Sequence, residues 1–211
     1  MLSFKKLKKV FIIAEAGVNH NGSLSIAKKM VAVAKDAGAD AVKFQVFKAK
    51  DLVTKNARKA KYQISNTKSA ESQYAMLKKL ELKDHDFREL ADYAAEKGII
   101  FLATPFDQAS VDLLDDLGVI AFKVASGEIT NLPFLKYVAR KGKPVIVSTG
   151  MSNSREIREA VNLIKHEGRS DIALLHCVTD YPAQAEDINL KVRKTLECAF
   201  RFPVGLSDHT L

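Results

Sequence analysis

Short apolar runs alternate with amphipathic segments along almost the whole chain, and this alternation restricts the fold more than any other feature. The apolar runs begin near Val10, Ala41, Ile99, Ala121, Pro144, Ala173 and Pro203. Between them, apolar and polar residues follow a helical period. Gly38, Gly98, Gly118, Gly142 and Gly168 fall where each intervening helix should stop, because glycine takes the left-handed helix-ending conformation without a Cβ clash. Ser23, Asp107, Asn131 and Ser152 stand where N-caps are needed. Strands joined by helices at this spacing run parallel, since each crossover must carry a helix.

A series of seven such strands fits either a doubly wound sheet or a (β/α) barrel. The dinucleotide fingerprint GxGxxG and the P-loop GxxxxGK[ST] are both absent. Polar residues recur at the C-terminal end of nearly every run. In a doubly wound sheet they would gather at the switch point, whereas in a barrel every strand points at one mouth. The expected fold is therefore α/β, a (β/α)8 TIM barrel represented by about seven βα units. Residues 1–211 are expected to form one incomplete barrel domain, short of the last strand. One interval breaks the rhythm. Residues 48–69 are polar and lysine-rich, with no helical period until about Glu71. At a barrel mouth such a connection is a lid or a substrate wall; elsewhere it is a floppy insertion.

The chain is 47% hydrophobic and 27% charged, the balance of a soluble globular protein, and no apolar run is long enough to span a membrane. The start, MLSFKKLKKVFII, carries lysines before an apolar run, but the run is short and leads into Glu15 without a cleavage-like stretch. It reads as a basic arm. The net charge of +8 raises the question of nucleic acid, yet no basic block is interleaved with aromatics. A basic surface with an anion pocket accounts for the charge, and neither nucleic acid nor membrane is expected as a partner. Cys177 and Cys198 define no disulfide framework and no zinc cluster, which fits a reducing cytoplasm.

The stretch AFKVASGEI, residues 121–129, carries the chemistry most openly. It begins as an apolar strand and ends in Lys123, Ser126 and Glu128. A lysine inside an apolar run is costly to bury unless an anion neutralises it. Lys43 stands in a similar setting in AVKFQVF, with Gln45 two residues on and so on the same face. One such lysine alone reads equally as a solvated strand end; two, each with a polar partner, point to a pocket for a phosphate or carboxylate. The other strand ends add Glu15 before the polar turn Asn19, His20 and Asn21; Thr104; the hydroxyl-rich turn Ser148, Thr149 and Gly150, suited to phosphate oxygens; His176, Thr179, Asp180 and Tyr181; and Ser207, Asp208 and His209. Thr104, Ser148 and Ser207 also read as caps. His176, inside ALLHCV, reads equally as a core histidine, and His85 and His166 read as surface. His209, beside a carboxylate at a strand end, is a candidate ligand for a divalent metal, although one histidine is not a site.

Taken in order, IAEAGVNHNG, VKFQ, ESQYAMLKKLEL, TPF, SGEITN, STGM, LLHC with YPA, and GLSDHT resemble the sialic acid synthase family, which includes N-acetylneuraminate, legionaminate and pseudaminate synthases. The resemblance runs from about Phe11 to Leu211. It implies a (β/α)8 barrel transferase that condenses phosphoenolpyruvate with an open-chain N-acylated hexosamine, N-acetylmannosamine or a 2,4-diacetamido-2,4,6-trideoxyhexose. The product is a nine-carbon 2-keto sugar acid, and phosphate is released. By the same resemblance Lys43, Thr104, Lys123, Ser126, Ser148, Thr179 and Ser207 bind phosphoenolpyruvate, with Thr179 standing where the family often has Asn or Ser. Gln45, Glu128 and Tyr181 contact the sugar. His209 is one of two histidines for Mn²⁺ or Mg²⁺, and Glu15 is the carboxylate near the reacting centre. Glu15, Lys43, Lys123 and His209 form the implied catalytic set. The second metal histidine, a sugar-contacting aspartate and a small antifreeze-like domain, all later in the family pattern, have no counterpart in these residues. A cytoplasmic homodimer is implied for the full-length protein. The region from KAKYQ to ESQYAMLKKLEL resembles the neuraminate and legionaminate branch more than the pseudaminate branch.

The implied chemistry suits these residue types. Two lysines and several hydroxyls can hold a phosphate and a carboxylate together, a metal at His209 would polarise the aldehyde, and Glu15 would orient the water that adds to C2. Two rivals keep the barrel: a Schiff-base aldolase using Lys43 or Lys123, and a catalytically inactive metabolite-binding fragment.

Overall fold

The computed structural model describes residues 3–168 and 171–211, which fall into two compact units. The first, Val10–Val119, contains β1 (Ile13–Gly17), α1 (Leu24–Asp36), β2 (Ala41–Val46), α2 (Ala49–Leu52), α3 (Lys61–Thr67), α4 (Gln73–Leu80), α5 (Asp84–Lys97), β3 (Ile100–Pro105) and α6 (Gln108–Asp116). The second joins Met1–Lys9 to Ile120–Leu211 and contains β4 (Phe122–Val124), α7 (Leu132–Arg140), β5 (Val145–Ser148), α8 (Ser154–Gly168), β6 (Ile172–Cys177), α9 (Val192–Phe200) and β7 (Val204–Ser207).

Each unit has one parallel sheet whose strands follow chain order, β1-β2-β3 and β4-β5-β6-β7. A doubly wound sheet reverses its order at the switch point, and neither sheet does. Crossovers of one hand in an unreversed order put the connecting helices on one face. The other face is left to strand side chains, and parallel pairing brings the strands' C-terminal residues level. In this register Glu15 is opposite Lys43, and Gln45 is opposite Thr104.

The helices pack by simple spacing. α5 buries Phe87, Leu90 and Ala94, and α8 buries Ile157, Ala160, Val161 and Ile164, the i, i+3, i+4, i+7 stripe of a helix lying on a sheet. Leu90 is wholly enclosed, so truncating it to alanine should cost about 2–5 kcal/mol. Among the expected helix ends Gly98 shows the mechanism: at φ +66° its N–H turns back to the Ala94 and Ala95 carbonyls. Ser23, Asp107 and Asn131 cap their helices as expected, each side chain accepting a main-chain N–H. Ser152 does not. Asn153, one residue on, accepts from the Arg155 and Glu156 N–H groups at 2.9 and 3.1 Å, while the Ser152 hydroxyl bonds back to the Gly150 carbonyl at 3.2 Å.

One further expectation is corrected. The interval 48–69 is not without helix, since it holds α2 and α3. These are too short to show a period, and they are fixed by contacts the sequence pattern does not display. The buried Lys59 ammonium donates to the Thr67 hydroxyl and the Ser69 carbonyl, both at 2.7 Å. The basic N-terminal arm makes contacts as well: Phe4 is buried, and the Lys5 ammonium lies 6.0 Å from the centre of the Phe202 ring. Among the described residues no helix is long and apolar enough to cross a membrane.

Candidate active site

In the N-terminal unit the strand ends bring four of the expected residues together. Lys43 is only 8% exposed although it carries a charge. Its ammonium pairs with the Glu15 carboxylate and lies 3.5 Å from the Thr104 hydroxyl. Register explains the pairing: directly opposed residues on parallel strands project to the same face. Gln45 belongs to the same cluster, because a Cβ placed on Gly17 would lie 3.1 Å from Glu15 Oε1 and 3.8 Å from Gln45 Nε2.

The turn after β1 is packed more closely than its polar sequence suggests. His20 is 1% exposed, and its Nδ1 accepts the Gly22 N–H at 3.1 Å. Its other ring nitrogen, Nε2, is buried without a hydrogen-bond partner. Burial pulls the imidazole pKa below its ordinary value, which keeps the ring neutral, with the proton on Nε2 and the lone pair on Nδ1.

The C-terminal unit holds the other lysine. Lys123 is 6% exposed, and its ammonium donates to the Val124 carbonyl at 2.9 Å. Around the end of β5, Ser148 is 2% exposed and its hydroxyl has no partner. The Thr149 hydroxyl and N–H both donate to the Leu175 carbonyl at 3.0 Å. The Gly150 N–H donates to the Ser126 hydroxyl oxygen at 3.0 Å. Thr179 packs against the same glycine.

A second cluster in this unit joins Ser207, His209 and Tyr181. The Ser207 hydroxyl is 3.3 Å from His209 Nε2, and the Tyr181 and His209 rings are 4.5 Å apart. Asp208 is tied to its own turn: its Oδ1 accepts the Thr210 N–H at 3.0 Å and the Thr210 hydroxyl at 2.9 Å, and these bonds hold its carboxyl below the usual range. Glu128 accepts from the Asn131 amide at 2.8 Å, at the start of α7. His176 is a satisfied core histidine, its Nε2 bonded to the Ile188 carbonyl at 2.5 Å. His85 and His166 are surface residues.

Among the described residues no three His, Cys, Asp or Glu side chains come together as a metal cage. His209 offers one donor, which does not by itself fit a divalent ion. An open groove of about 620 Å³ runs past Ile188, Leu190 and Leu206. Of the strand-end polar residues named from the sequence, Asp208 lines it. The reading of the sequence missed the burial of His20 and the contact between Ser126 and Gly150. The first had a signal in the glycine two residues later; the second joins positions 24 residues apart and had none.

The NeuB family profile matches residues 30–211. The chain belongs to the NeuB family. It is 53% identical over 206 residues to the N,N'-diacetyllegionaminic acid synthase of Campylobacter jejuni, covering 97% of this chain and 62% of that protein. It is 51% identical to the enzyme of the same name from Legionella pneumophila, covering 95% of this chain and 58% of that one. This NeuB chain thus spans about six-tenths of the length of these curated relatives. Among solved structures, the N-acetylneuraminic acid (sialic acid) synthetase of Leptospira borgpetersenii, determined with citrate, superposes with a TM-score of 0.83 at 36% identity, over 96% of this chain and 66% of that one. The fold class is accordingly α/β, of the (β/α) barrel type, with seven strands among the described residues.

Proposed function

We propose that this NeuB chain supplies the barrel-domain part of a transferase that joins phosphoenolpyruvate to an N-acylated hexosamine. The sugar we propose is the 2,4-diacetamido-2,4,6-trideoxyhexose of legionaminic acid synthesis, a choice supported by the names of the two relatives above half identity. The observation that carries the activity is the burial of two strand lysines, Lys43 and Lys123, the first of them 3.5 Å from the Thr104 hydroxyl. Buried ammonium groups suit anionic ligands, which make charge-assisted hydrogen bonds to them, and phosphoenolpyruvate carries a phosphate and a carboxylate.

In this reading Lys43, Thr104, Lys123, Ser126, Ser148, Thr179 and Ser207 hold phosphoenolpyruvate, and Gln45, Glu128 and Tyr181 receive the sugar. C3 of the enol forms the new carbon–carbon bond to the aldehyde carbon, and the aldehyde oxygen takes a proton. Water adds to C2 and its proton leaves toward Glu15, whose half-exposed carboxylate is held by Lys43. The C2–oxygen bond then breaks and phosphate departs. A divalent ion, Mn²⁺ or Mg²⁺, has one candidate ligand here, His209. The described residues do not complete its shell, and no step is assigned to it. We further propose a cytoplasmic location and, for the full-length protein, a homodimer. The test is phosphate release from phosphoenolpyruvate with each sugar in turn, together with phosphoenolpyruvate affinity by calorimetry. Phosphate release dependent on the diacetamido sugar supports the reading. Failure of the chain to bind phosphoenolpyruvate, or equal turnover without any sugar, overturns it.

A further inference from the structure

Gly150 lies where three strand ends meet in the C-terminal unit. It follows β5 by two residues, Ser126 follows β4 by two, and Cys177 and Thr179 end and follow β6. A Cβ on Gly150 would lie 2.5 Å from the Thr179 methyl, 2.9 Å from the Ser126 hydroxyl oxygen and 3.1 Å from the Cys177 carbonyl oxygen. Its φ is not in the left-handed region, so the position requires glycine for space, not for backbone freedom. The turn cannot relax easily, because Thr149 is tied twice to the Leu175 carbonyl of β6.

The Gly150 N–H has a second effect. A serine hydroxyl has one proton to give and two lone pairs to receive with. At Ser126 one lone pair is taken by Gly150 N–H at 3.0 Å. An oxygen that accepts becomes a better donor through its own proton, as hydrogen-bond chains polarise one another. The Ser148 hydroxyl, buried at the end of the preceding strand and without a partner, has its proton to offer as well.

We infer that Gly150 is a positioning residue for anion recognition: it fixes Ser126 as a hydrogen-bond donor and gives Thr179 room to approach the same phosphate or carboxylate oxygens. This deepens the reading of Ser126, Ser148 and Thr179 as phosphoenolpyruvate contacts and rests on it. Gly150 touches no substrate atom in this scheme; it acts through Ser126 and Thr179.

The experiment is a set of binding titrations on the 211-residue chain with phosphoenolpyruvate and with inorganic phosphate as probes. Gly150→Ala should weaken phosphoenolpyruvate binding roughly 10- to 100-fold, the range expected for hydrogen bonds to a charged group. In a Thr179→Ser background, which removes the methyl at 2.5 Å, the same change should cost clearly less. In a Ser126→Ala background it should cost less again, because the residue it acts through is gone; independent sites would give additive losses. Additive losses, or unchanged affinity in Gly150→Ala, would overturn the inference while leaving the binding site standing. If Gly150→Ala does not fold, Ser126→Ala still decides: an affinity within 2-fold of the parent chain overturns it, and a loss of roughly 10-fold or more upholds the donor role. If the parent chain binds neither probe, the functional reading fails first and the inference with it.

Discussion

Replacing Gly22 by alanine should destabilise the N-terminal unit well beyond the usual glycine effect, and Gly38 provides the control. Gly22 has φ +74° and Gly38 has φ +83°. A side chain in that conformation costs about 1–2 kcal/mol at either position. The surroundings differ. A Cβ on Gly22 would lie 2.3 Å from the Lys79 carbonyl oxygen, near the end of α4, whereas one on Gly38 would meet nothing within 4 Å. The carbonyl is main chain and cannot swing aside, so the turn must move. Overpacking of this kind costs about 1–3 kcal/mol more, and the move strains the bond from Gly22 N–H to His20 Nδ1. The expected losses are about 2–5 kcal/mol for Gly22→Ala and about 1–2 for Gly38→Ala. Urea denaturation of both variants, with the slope m held as a check on the unfolded state, measures the difference. Equal midpoints would show that the β1 turn is not pressed against α4, and the close placement of His20 would lose its explanation.

Other outcomes can be read from single groups. Burial holds the His20 pKa below its ordinary 6.5, so the unfolded chain takes up that proton first. The associated stability is complete above pH 6.5 and drains as pH falls below it, by up to about 1.4 kcal/mol per pH unit. His20→Gln should flatten the dependence of the urea midpoint on pH between 7 and 5.5, and an unaltered slope would locate the titrating group elsewhere. Lys59→Met removes two bonds from a buried ammonium, and amides of residues 57–70 should then exchange roughly 10-fold faster in hydrogen exchange; unchanged protection would mean that the interval is held by other contacts. Lys43 is engaged by Glu15 and Lys123 by the Val124 carbonyl, whereas a Schiff-base lysine needs an amine free to attack. Borohydride with pyruvate should therefore leave the chain's mass unchanged, and a trapped adduct would revive the aldolase mechanism.

The parts of the fold that were legible in the sequence are those set by local physics. A helix lying on a sheet needs an apolar stripe, so α1, α5, α7 and α8 announce themselves, and Gly98 ends α5 for a reason visible in one residue. Lys43 and Lys123 were legible because a charge inside an apolar run is an anomaly at any distance. What escaped depends on partners far along the chain or on very short segments. α2 and α3 have too few residues to show a period. Asn153 outcompetes Ser152 as a cap because the Ser152 hydroxyl is already bonded to Gly150. Glu128 is drawn to Asn131 at a helix start, a choice between two polar neighbours that composition does not make.

The interval between β2 and α4 is braced inside by Lys59 and fastened at its ends from outside. At its base the Lys48 N–H meets Asp107, the cap of α6, at 3.3 Å; the Lys48 ammonium meets Asp84 of α5 at 2.7 Å; and the Ala49 N–H meets Glu81 at 2.6 Å. At its far end Glu71 is held by Lys79 of α4 at 2.5 Å. None of these four acids lies within residues 50–70. A segment clamped by neighbours can be rewritten without disturbing what clamps it, and doubling its length adds only about 0.6 kcal/mol of closure entropy. Its ends are therefore set by the framework, while its middle is set by its own residues. A graft that replaces residues 50–70 keeps those four acids, and what it must restore is the pair of bonds by which Ala57 and Gln63 meet Gln73 of α4.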